Sequence, residues 1–118
     1  MSKILIIQDS PEPQPSKATS LIPSGRYEVK TITKEQTFLV KFCKSDLIIL
    51  DSSLNGDKVF ICRRLRKEGV GQPVLAILEK QDLREKAEII NLGPDQDDEK
   101  DIHPEEFRAH IDSRLRRP

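Results

Sequence analysis

Two aspartates follow directly on runs of large aliphatic side chains, Asp9 after "KILIIQ" and Asp51 after "LIIL". A run with no polar alternation reads as a strand covered on both faces, and a carboxylate at its end stands on the rim where such sheets hold ligands. There it can bind a cation or act as a nucleophile. If the two strands are parallel neighbours about 4.8 Å apart, Asp9 and Asp51 can share one ion. Two hard oxygen ligands, completed by a backbone carbonyl and water, suit magnesium, which keeps much of its hydration shell. The competing reading is that both aspartates are solvated at loop starts or cap the helices that follow, which aspartate does well.

The elements that must position this pair are legible as apolar patterns. "KILII" (3–7), "DLIIL" (46–50) and "PVLAIL" (73–78) are continuous and predict central strands, whereas "YEVKTI" (27–32) alternates and predicts a strand nearer an edge. Between them, and after the last, lie helical patterns: Phe38, Leu39, Phe42 and Cys43; Val59, Cys62 and Leu65; Leu83, Ala87 and Ile90; Phe107, Ile111 and Leu115. This alternation predicts parallel strands joined by helices. Two segments fit it badly. Pro11, Pro13, Pro15 and Pro23 crowd the place of the first helix, and Pro13 or Pro15 in a helix interior would cost about 3 kcal/mol. Any helix there starts near Pro15 and ends before Pro23. Where a fifth strand is due, residues 93–103 offer Ile102 as their only large aliphatic, so that strand is expected to be short or missing, with charges that suit an edge.

The chain of 118 residues is the size of one domain, 1–118, with 115–118 read as a basic helix end passing into a linker. Twenty Lys and Arg balance twenty Asp and Glu, so no net field favours nucleic acid or an anionic membrane. The apolar runs fall far short of the roughly 18 residues a membrane span needs, and no signal peptide precedes them, which makes a cytoplasmic protein the expectation. Cys43 and Cys62 lack metal-ligand spacing and are expected to be reduced and packed. His103 and His110 fall on or beside the last helix, away from the strand-end rim, and read as solvated. "DQDDEKD" lacks the glycine and closing glutamate of a calcium loop. An aspartate-nucleophile phosphatase would show a second acid two residues after Asp51, where Ser53 stands. A dinucleotide site would need glycines after the first strand, and "QDSPEP" has none.

Taken in order, "KILIIQDSPE", "SDLIILDSSLNG", "ICRRLR", "QPVLAIL", "LG" with Lys100 seven residues after Gly93, and "HPEEFRAHIDSRLRR" resemble a bacterial response-regulator receiver domain over essentially the whole chain. The resemblance implies an α/β fold of flavodoxin-like, doubly wound type: five parallel strands with helices on both faces, the first helix and fifth strand irregular here. It implies a phosphoryl group accepted on Asp51 from a histidine kinase or phosphotransfer protein. It also implies Mg²⁺ held by Asp9, Asp51 and the backbone carbonyl of Ser53, and Lys100 on the phosphoryl oxygens. The chain is then no enzyme beyond Mg²⁺-dependent self-phosphorylation from a kinase or small phosphodonor. The face spanning residues 81–116 is implied as the surface for an effector or a second copy.

The departures bear on the same chemistry. Gln8 replaces the first carboxylate of the acidic pair, and losing one charge weakens attraction for a divalent ion by up to a few kcal/mol. Leu78 and Glu79 stand where the family has a hydroxyl and a small residue, so the group that would hydrogen-bond a phosphoryl oxygen is missing. Asp97 replaces the switch aromatic, and Asp101 replaces the proline after Lys100. The loop after Asp51 is one residue short, with Lys58 at a customary glycine. Two expectations follow: a degenerate receiver that still accepts phosphate on Asp51 with a weakened switch, or a pseudo-receiver that binds partners independently of phosphate.

Overall fold

The computed structural model describes residues 2–9, 17–22, 25–54, 57–78, 96–99 and 102–116. Five parallel strands form one sheet: β1 (Lys3–Gln8), β2 (Glu28–Thr33), β3 (Leu47–Leu50), β4 (Val74–Leu78) and β5 (Gln96–Glu99), in the spatial order β2-β1-β3-β4-β5. That order belongs to flavodoxin-like doubly wound folds, whose ligands lie where the winding reverses, between β1 and β3. The continuous apolar runs became the three central strands, and the alternating run became edge strand β2, where Ile32 is buried and residues 28–31 are exposed. The described part of the fifth strand, QDDE, lies at the opposite edge.

Side chains of alternate parity fill two cores. Leu5, Ile7, Ile48, Leu50, Val74 and Ala76 pack on one face against Ile61, Cys62 and Leu65 of α2 (Asp57–Lys67). On the other, Ile4, Ile6, Leu47, Ile49, Leu75 and Ile77 meet Ala18 and Leu21 of α1 (Lys17–Leu21) together with Phe107 and Ile111 of α3 (Pro104–Leu115). Among the described residues helix α1 spans Lys17–Leu21, within the bounds that Pro15 and Pro23 set. Helix α2 starts on Asp57, carries Arg64, Arg66 and Lys67 in its last turn, and is closed after Lys67 by Gly69, whose φ of 79° permits the bonds Gly69 N–H to Arg66 O and Val70 N–H to Leu65 O. Helix α3 begins with Pro104 in its first turn, and the His103 ring accepts from the Glu105 amide. Both cysteines are free thiols, Cys62 buried and Cys43 partly so.

The segment after β2 departs from the helical expectation. Lys34–Phe42 winds as a 3-10 helix whose buried residues are Thr37 and Val40, while Phe38 and Phe42 are 52% and 73% exposed. Three residues per turn align positions 34, 37, 40 and 43, so a reading at α periodicity turns the wrong side inward. Cys43 does pack against the core, at the end of that row. The helical pattern at 83–90 lies outside the described residues, as do Glu79, Lys100 and Asp101.

Candidate functional site

The register Ile7↔Leu50 continues one step further through the Asp51 amide, which donates to the Ile7 carbonyl at 2.9 Å. This sets Gln8 beside Asp51 at the C-terminal ends of β1 and β3. Alternation gives both the parity of Ile6 and Ile49, toward the α1 and α3 face, and both are buried. Asp51 is 1% exposed, and each of its oxygens has a main-chain donor: Oδ1 accepts from the Ala18 amide of α1 at 2.8 Å, and Oδ2 from the Ser53 amide at 3.0 Å. The second bond folds residues Ser52–Leu54 into a single 3-10 turn, closed by the Leu54 amide donating to the Asp51 carbonyl. A carboxylate in this setting works as a cap for two backbone segments.

Asp9 lies next to this pair but has different company. Its amide donates to Ser53 Oγ at 3.1 Å, so Ser53 touches both aspartates. Its carboxylate, 46% exposed, meets Lys34 Nζ at 2.9 Å, and the same ammonium reaches Asp57 Oδ2 at 3.1 Å in the first turn of α2. Lys34 is the residue after β2, and the pair Gln8↔Thr33 brings it level with Asp9. Its pKa is raised above the ordinary lysine value by the hydrogen bonds to Asp9 and then Asp57, with their negative charges adding to the effect. A second lysine enters from α2: Lys58 is fully buried, with Nζ 3.4 Å from the Ser52 carbonyl.

The residues singled out from sequence as a metal set, Asp9, Asp51 and Ser53, are thus contiguous, but they are joined by hydrogen bonds through Ser53. Among the described residues no group of three or more His, Cys, Asp or Glu side chains converges as metal ligands. With Asp9 on an ammonium and both Asp51 oxygens on amides, the donor set in this arrangement does not fit a hydrated divalent ion, which needs carboxylate oxygens turned to a common point. Lys34 was missed in the sequence. The signal was available only in part: a lysine directly after a parallel strand beside β1 would place a cation near Asp9, but the register that aligns them is a tertiary fact.

No protein-family model matches the chain. The virulence transcriptional regulatory protein PhoP of Salmonella typhimurium is 25% identical over 119 aligned residues, covering 99% of this chain and 53% of PhoP. The chain therefore spans about half the length of the curated relatives it matches. Among solved structures, the receiver domain of the Francisella response regulator 1452 superposes with a TM-score of 0.78 at 19% identity, covering 98% of this chain and 97% of that one. This chain has the fold of response-regulator receiver domains. The signal receiver domain of a Syntrophus aciditrophicus histidine kinase (TM-score 0.73, 20% identity, 98% and 90% coverage) has the same receiver architecture. So does the Vibrio cholerae chemotaxis protein CheY4 (TM-score 0.71, 18% identity, 96% and 98% coverage). None of the described helices of this chain is long and apolar enough to cross a membrane.

Proposed function

We propose that this receiver domain serves two-component signalling as a docking module whose partner, a histidine kinase, a phosphotransfer protein or an effector, is recognised without a phosphoryl group on Asp51. The supporting observation is the pair of main-chain hydrogen bonds on the buried Asp51 carboxylate, at 2.8 and 3.0 Å. Attack on phosphorus needs an accessible oxygen with its electron pair aimed along the line of the leaving group. Here each oxygen is oriented by an amide hydrogen, and a 1% exposed side chain leaves little room for a tetrahedral group. The neighbours point the same way: Gln8 adds no charge, and the buried Leu78 at the end of β4 supplies no hydroxyl. Incubation with acetyl phosphate and Mg²⁺ followed by intact-mass measurement is expected to leave the protein unmodified, and Asp51→Asn is expected to bind the partner as wild type does. A stoichiometric phosphoryl adduct, lost in Asp51→Asn, overturns the reading.

A second reading draws on the position of the site. Asp51, Asp9 and Ser53 sit together at the β1/β3 reversal, the place where this architecture holds ligands. In that reading Asp51 is the phosphoacceptor, Asp9, Asp51 and the Ser53 carbonyl would hold Mg²⁺, which neutralises the phosphoryl oxygens when bound, and Lys100 would contact those oxygens. Asp51 would first have to release the Ala18 amide and Asp9 the Lys34 ammonium, so α1 and the end of β2 are the elements that must move. The mass experiment separates the two readings.

A further inference from the structure

We infer that Lys34 stands in for the divalent cation at this rim: its ammonium neutralises Asp9 and fastens it to the start of α2, so the rim is assembled by a covalently tethered charge in place of a metal. Three observations carry this. Lys34 Nζ bridges two carboxylates, Asp9 at 2.9 Å and Asp57 at 3.1 Å, which uses an ammonium's several donors in the way an ion uses its coordination sites. The bridge joins three elements at the reversal of the sheet, the ends of β1 and β2 and the first turn of α2. Finally, the charges at the rim run the same way: Gln8, beside Asp51, is neutral, and Lys58 sets a second ammonium beside the Ser52 carbonyl. An ion arriving at Asp9 meets a like charge already seated there, and it must displace a hydrogen-bonded donor to enter.

The inference concerns the same rim as the proposed function but does not depend on it, because it is read out by metal alone with no phosphodonor present. The experiment titrates MgCl₂ into ¹⁵N-labelled wild type, Lys34→Met and Lys34→Arg, following the amide signals of Asp9, Ser53 and Asp57, with well-dispersed spectra as the check on folding. Wild type and Lys34→Arg are expected to give no saturating response over the range in which Lys34→Met does, an affinity gain on the order of tenfold or more from deleting one adjacent positive charge. Adding Asp9→Asn to Lys34→Met is expected to remove the gained response, which ties it to the freed carboxylate. Saturable Mg²⁺ binding by wild type that Lys34→Met fails to tighten overturns the inference. So does the absence of any gain in a folded Lys34→Met protein.

Discussion

Asp51 and Asp9 leave neighbouring strands and are linked through one serine, yet one is buried and held by two amides while the other has a half-exposed side chain held by an ammonium. The burial and the kind of partner go together. A buried carboxylate has lost its water and must recover hydrogen bonds from fixed donors, which makes it part of the scaffold. A half-exposed carboxylate keeps water as an alternative partner, so its ion pair sets orientation more than stability. The two aspartates read alike in the sequence and do different work in the fold.

Removing each group should expose that contrast. Asp51→Ala is expected to have the largest effect, about 2–3 kcal/mol lost in urea unfolding, because the Ala18 and Ser53 amides lose their acceptor inside the protein. The loss should be nearly independent of salt, and Asp51→Asn, which retains one oxygen acceptor, should fall between Ala and wild type. Ser53→Ala comes next, at roughly 0.5–1 kcal/mol, since it deprives only the Asp9 amide of a neutral acceptor on the exposed side. Lys34→Met should be the mildest: a small drop in melting temperature that shrinks further as sodium chloride is raised, the screening expected of a side chain 36% exposed. A Lys34→Met loss as large as that of Asp51→Ala, or one insensitive to salt, would erase the distinction between a structural and an ionic carboxylate.

Much of the scaffold was legible in the chain. Four-residue aliphatic runs such as Leu47–Leu50 can be covered only from both sides, which predicts a central parallel strand, and β3 is fully buried. Four prolines around the first crossover predict a curtailed helix, and the described helix is Lys17–Leu21. The 34–42 segment was misphased because α and 3-10 periodicities differ by little over one turn, while only packing decides which one the backbone takes; Phe38 and Phe42 consequently face solvent. For the candidate site, the residues Asp9, Asp51 and Ser53 could be named in advance, and their adjacency follows from the order of the strands. Their hydrogen-bond partners could not.

What the sequence determined by itself is the set of apolar periods, and with them the sheet, its two covered faces and the presence of acids at strand ends. These depend on side-chain pattern over a few neighbouring positions, where the hydrophobic effect is local and non-directional. What only the tertiary structure decided is whom each charge meets: Asp51 with Ala18 across 33 positions, Asp9 with a lysine delivered by β2. Hydrogen bonds and ion pairs act over a few ångströms and at narrow angles, so their partners are fixed only when register and crossover bring distant parts of the chain to the same rim.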